Sequence, residues 1–128
     1  NNAGVAVGGG IDAMSYKDWD WVMGVNLAGV INGVQTFVER IKKHGEGGHI
    51  VNTASMAGVS AGPFLGTYMT SKHAVVGLSE GLAADLAIAA PGVGVTVVCP
   101  GQMVTNIVAA ERNRPEDLAS GDRALSGY

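Results

Sequence analysis

Three observations predict an α/β fold built on a doubly wound parallel sheet. A long helical periodicity follows Ser15 and gives way to a short β-branched run, HIVNTAS, at residues 49–55. A second helical stretch ends at Pro91. VGVTVVC, residues 93–99, is then almost continuously apolar without alternation, as in a parallel strand covered on both faces. Helix, strand, helix and strand in that order demand right-handed crossovers, with helices on both faces of the sheet. Ligands of such sheets bind beyond the carboxyl ends of the strands, here at Ser55 and at Pro100 and Gly101.

Each element has a local cause. Ser15 and Asp18 form a capping-box-like start, with the acid in place of the usual Glu. Val22, Val25, Gly29, Gly33, Phe37 and Ile41 recur at three- and four-residue steps and predict a helical face. The helix is expected to reach His44 and stop at Gly45, with Lys42, Lys43 and His44 at the negative end of its dipole. GVAVGGG, residues 4–10, reads as a surface loop. The second helix is expected over residues 67–90, after a Gly-, Ala- and Ser-rich loop over residues 56–66. ERNRPED, residues 111–117, reads as an exposed, mobile segment.

Composition removes several functions. Of the 128 residues, 47% are hydrophobic and 15% charged, which argues for one packed domain over a disordered chain. A net charge of −3 without a basic cluster argues against nucleic acid, whose phosphates require Lys and Arg. Cys99 is the only cysteine, and its surroundings suggest a core thiol over a nucleophile. His44, His49 and His73 lack ligand spacing, so no metal site is predicted. Residues 86–110 carry no charge and are long enough to cross a bilayer, yet Pro91, Gly92, Gly94, Pro100 and Gly101 would break such a helix. No secretion leader is evident, and the expectation is a soluble, cytoplasmic protein without membrane contact.

TYMTSK, residues 67–72, carries the chemistry. Tyr68 and Lys72 are four residues apart on a helix, so both side chains lie on one face. An ammonium ~4 Å from a phenol, at an effective dielectric of ~20, favours the phenolate by as much as ~4 kcal/mol. A phenol so placed can exchange protons with an alcohol or ketone. Y-x-x-x-K alone recurs by chance as a solvated pair. Here Ser55 sits 13 residues earlier at a strand end, and Asn26 interrupts an apolar helical face.

With NNAG at the start and PGQMVT after the last strand, these features resemble the short-chain dehydrogenase/reductase family over residues 1–107. The resemblance implies a Rossmann-type sheet and a catalytic tetrad of Asn26, Ser55, Tyr68 and Lys72. Tyr68 would be general acid or base. Lys72 would assist it and bind the nicotinamide ribose, and Ser55 would orient the substrate oxygen. Asn26 would hold a water through a local helix distortion. Asn2, Ala3 and Gly4 would border the adenosine side of the cofactor. Pro100 and Gly101 would form its loop, with Met103 and Thr105 near the carboxamide. Met103 stands where Val or Ile is usual, and Gly24 where an acid is common.

The implied activity is NAD- or NADP-dependent interconversion of an alcohol and a ketone or aldehyde. The alternatives are a non-catalytic cofactor-binding or scaffold protein on the same fold, and an inactive truncated fragment. No G-x-x-x-G-x-G precedes Asn1, so the sheet is expected to be incomplete: the N-terminal βαβ units and the last strand are missing. Residues 1–128 are read as a partial catalytic domain, with residues 102–128 a substrate-loop region and the start of a truncated C-terminus. The isolated chain is expected to be inactive. Met56, Val59, Phe64, Leu65, Ile107 and Val108 suggest an apolar pocket wall, or equally core or dimer packing. Small residues on the two helices (Gly29, Gly33, Gly77, Gly81, Ala84) and the resemblance together imply a homodimer or homotetramer.

Overall fold

The structure is a computed structural model and describes residues 1–120. After a 3-10 turn at Ile11–Ala13 the chain enters α1 (Tyr16–Met23), passes through a π-helical turn (Gly24–Ala28), and continues as α2 (Gly29–His44). β1 (Gly48–Thr53), α3 (Gly66–Ala89) and β2 (Val93–Val98) follow, then 3-10 turns at Asn106–Asn113 and Glu116–Leu118. The predicted elements are all present, with ends moved by one or two residues.

The capping box forms as expected: Asp18 N–H donates to Ser15 Oγ at 3.3 Å, and Asp18 Oδ2 accepts from Ser15 N–H at 2.8 Å. Gly45 stops α2 with φ of 74°, a conformation that costs glycine little. Between these ends, the buried face does not follow the predicted periodicity. Val22, Asn26, Val30 and Val38 are buried, whereas Phe37 is exposed. The π turn is the reason: its extra residue delays the inward face by one position, so 26, 30 and 38 replace 25, 29 and 37.

β1 and β2 pair in parallel, from Gly48 beside Val93 to Thr53 beside Val98. On the other edge of β1, Asn1 N donates to Val51 O at 2.8 Å, and Thr53 N donates to Asn1 O at 2.9 Å. That is the slanted bonding of a parallel pair, so Asn1 acts as the tip of a third strand. The Rossmann-like sheet is thus present in part. Val38, Ile50, Leu86 and Val93 pack α2 and α3 against it at one level, and Val30, Ala54 and Val75 at the next. Cys99 packs half-buried against the second group. A polar pin crosses this core: Asn1 Nδ2 donates to Asn52 Oδ1, and Asn52 Nδ2 to Ser79 Oγ.

One surface expectation fails and a second holds at all but one residue. Residues 4–10 are not a surface loop, because Val5 and Val7 are buried with Trp21, Val22 and Ala110. Residues 111–117 are exposed as expected except at Arg114, whose side chain is enclosed in an ion pair with Asp18. Both depend on partners far along the chain. The helical run Tyr16–His44 is long and apolar enough to cross a bilayer. Val22, Val30 and Val38 of this run are buried inside the domain, whereas Ile31 and Phe37 are exposed.

Candidate active site

α3 presents Lys72 inward, at 3% exposure, while Tyr68 one turn earlier is half-buried. Lys72 Nζ donates to Thr53 O at 3.0 Å and lies 5.6 Å from the centre of the Tyr68 ring. Burial pushes the Lys72 pKa below its ordinary value, because the interior disfavours the charged form. The ammonium is therefore held between the last carbonyl of β1 and the phenol ring.

Ser55 follows β1 by two residues, in extended conformation, and its Oγ accepts from Ala57 N–H at 3.1 Å. The 3-10 turn that it caps (Met56–Gly58) lies directly on α3: a Cβ on Gly58 would stand 2.7 Å from the Lys72 carbonyl oxygen. Only glycine permits that approach, which brings the Ser55 turn to the stretch of α3 bearing Lys72. The loops after the two strands are joined as well, Met56 N–H donating to Pro100 O at 2.9 Å.

Asn26 sits in the π turn, fully buried. Its Oδ1 accepts from Val5 N–H at 2.8 Å, and its Nδ2 donates to Val5 O and Ser71 Oγ, both at 2.9 Å. Ser71 Oγ in turn donates to Tyr68 O at 2.7 Å. The amide thus ties the NNAG segment to α3 within one turn of Tyr68. Ser71 was missed by sequence reasoning; a serine inside a helix, bonding back to a carbonyl, was the available signal.

Of the remaining candidates, Asn2 and Ala3 line a pocket of about 90 Å³ with Val25, Gly29 and Val30. A Cβ on Gly4 would stand 3.5 Å from Lys72 Nζ and 3.7 Å from Asn26 Oδ1, so its backbone runs beside both side chains. Among the described residues no three of His, Cys, Asp and Glu are grouped to hold a metal.

Residues 1–116 match the short chain dehydrogenase family. The chain belongs to that family. The C alpha-dehydrogenase of Sphingobium sp. is 43% identical over 128 residues, all of this chain and 40% of the relative. The NAD complex of a short chain dehydrogenase/reductase from Burkholderia phymatum superposes with a TM-score of 0.95 at 46% identity, covering 98% of this chain and 44% of that one. A gluconate 5-dehydrogenase from Burkholderia cenocepacia, in complex with NADP and tartrate, gives a TM-score of 0.74 at 31% identity, over 83% of this chain and 40% of that one. The chain spans less than half the length of these relatives.

In this member of the short chain dehydrogenase family the segment after β2 is mostly solvent-facing. Gly101, Met103 and Thr105 are exposed, and Thr105 Oγ1 caps the following turn by accepting from Ile107 N–H at 3.4 Å. Met56, Val59, Phe64, Leu65 and Val108 are exposed too, so core packing does not account for them. Of the residues 102–128 expected to form the substrate region, 121–128 lie outside the described residues. The helix glycines divide: Gly77 and Gly81 face open space, but a methyl on Gly33 would overlap the Asn1 amide. Gly33 serves an internal contact and not a partner-facing one.

Proposed function

We propose that this chain is the catalytic segment of an NAD- or NADP-dependent oxidoreductase that interconverts an alcohol and a ketone or aldehyde. The buried ammonium of Lys72 beside the half-buried Tyr68 ring, at the carboxyl end of a parallel sheet, is the observation that carries this. A scaffold protein on this fold has no use for a lysine buried at such cost.

The residues fit a dinucleotide. Lys72 Nζ has three N–H donors and, among the described residues, one acceptor in Thr53 O. Ribose hydroxyls would accept from the others. Asn2, Ala3 and Gly4 would border the adenosine side, and Pro100, Gly101, Met103 and Thr105 the nicotinamide side. The bound nicotinamide supplies the hydride chemistry. Relatives in complex with NAD and with NADP support either cofactor.

The protein supplies the proton and the positions. Ser55 Oγ orients the substrate oxygen toward Tyr68. Tyr68 Oη gives a proton to that oxygen in reduction, or takes it in oxidation. Lys72 stabilises the phenolate left behind. Asn26 keeps the Val5 segment, the π turn and α3 in register while its turn holds a water. Met56, Val59, Phe64 and Leu65 supply an apolar wall, so the substrate has an apolar body.

We also propose a soluble, cytoplasmic homodimer or homotetramer. A groove of about 380 Å³ between α2 and α3, lined by Ile31, Val34, Gly77 and Gly81, would receive a second copy. The test of the activity is nicotinamide absorbance in a full-length enzyme carrying this chain, assayed against a panel of alcohols and ketones. No absorbance change with any of them, despite cofactor binding, would favour the scaffold role.

A further inference from the structure

One bend in the backbone is out of keeping with its residue. Among the described residues Phe64 is the one non-glycine with positive φ, at 63°. A Cβ makes that left-handed conformation unfavourable, so it persists only where its surroundings hold it. Here the hold is a backbone joint with the segment that follows Val7. Gly9 N–H donates to Phe64 O at 2.9 Å, and Gly9 and Leu65 form a parallel bridge. Ile11 closes the joint: a Cβ on Gly66 would stand 2.7 Å from Ile11 Cδ1 and Cγ1, so Ile11 packs directly on the glycine.

The joint lies where α3 begins. Gly66 is the first residue of the helix and Tyr68 the third. The helix start has no side-chain cap: Leu65 stands at the cap position, and the buried Thr67 hydroxyl bonds to no group among the described residues. Leu65 O accepts from Met69 N–H at 2.8 Å and so belongs to the first turn. The direction in which α3 starts is therefore set from outside, by Gly9 through Phe64 and Leu65. The same segment reaches α3 again past Tyr68, where Val5 is bonded to Asn26 and Asn26 to Ser71. Residues 5–9 thus brace the Tyr68 turn from both sides.

We propose that Phe64 is a positioning residue for Tyr68, acting through its left-handed backbone rather than its ring. This rests on the dehydrogenase activity proposed above. In the left-handed conformation Phe64 presents its carbonyl to Gly9 N–H and delivers Leu65 into the first turn. A residue 64 that leaves this conformation breaks the bond and shifts the start of α3. Tyr68 then moves relative to Ser55, and a small misplacement of a reacting group costs rate more than binding. Lys72, one turn further along and bonded to Thr53 O, keeps its place.

The test is steady-state kinetics, at saturating cofactor, of a full-length enzyme carrying this chain, on an alcohol or ketone that it turns over. Two substitutions remove the ring and differ in the backbone they prefer. Phe64→Gly adopts positive φ freely. Its kcat stays within about threefold of native, while substrate KM rises with the lost apolar contact. Phe64→Val, β-branched and averse to positive φ, has a kcat at least about tenfold below that of Phe64→Gly, with cofactor Kd within about twofold of native. Should Phe64→Val not fold, Phe64→Ala takes its place, with kcat at least about threefold below that of Phe64→Gly. Equal kcat in the folded glycine and Cβ-bearing variants, or losses confined to KM, overturns the proposal. A native enzyme that turns over no alcohol or ketone removes the dehydrogenase activity itself, and the positioning role with it.

Discussion

Asn26 and Ser71, 45 residues apart, are joined by a 2.9 Å hydrogen bond in the protein interior. Because Ser71 passes a second bond to the Tyr68 carbonyl, the Val5 segment and the Tyr68 turn of α3 are tied by one side chain. Asn26→Ala leaves the Val5 N–H and C=O buried without partners. The expected loss is about 2–5 kcal/mol of stability, together with turnover, read from denaturant unfolding and from rate. An unchanged midpoint would contradict the clamp.

Tyr68→Phe is expected to lower kcat at least about a hundredfold while cofactor affinity changes little. The ring that packs near Lys72 remains, and only the hydroxyl proposed to handle the proton is lost. Retention of a tenth of the native rate would remove Tyr68 from that role. Cofactor titration in the same preparation separates this outcome from misfolding.

Lys72→Met is expected to weaken both cofactor affinity and rate. Its stability signature has a definite sign. Burial lowers the Lys72 pKa, so the folded protein releases this proton at lower pH than the unfolded chain does. The cost of burying the charge is thus complete at neutral pH and is relieved as pH rises through the folded pKa toward the ordinary value of 10.5. The stability of native protein relative to Lys72→Met climbs over that window. Denaturant midpoints across an alkaline pH series check it, and a flat difference counts against burial of the ammonium.

Gly33→Ala and Gly81→Leu should separate internal from external helix contacts. The first forces the Asn1 amide aside and costs about 1–3 kcal/mol of stability. The second meets open space and leaves the subunit folded, but shifts sedimentation toward the monomer at micromolar concentration. A Gly81 variant that assembles as the native protein does would exclude the α2–α3 groove as the contact.

Local chemistry in the sequence determined the element order, the Ser15 cap, the Gly45 stop and the parallel reading of β2. Each depends on residues a few positions apart. Tyr68 and Lys72 were legible for the same reason, since four residues on a helix place both on one side. Other features required partners that only folding brings together. GVAVGGG reads as loop until Val5 and Val7 meet Trp21, and ERNRPED reads as mobile until Arg114 meets Asp18, 96 residues away. The inward face of the first helix was misplaced by one residue, because the π turn that gives Asn26 its position follows no local propensity. Its amide bonds to Val5 and Ser71, made across the interior, stand where the apolar pattern breaks. Short-range periodicity sets which elements form; long-range burial and hydrogen bonding decide which face, which loop and which charge reach the site.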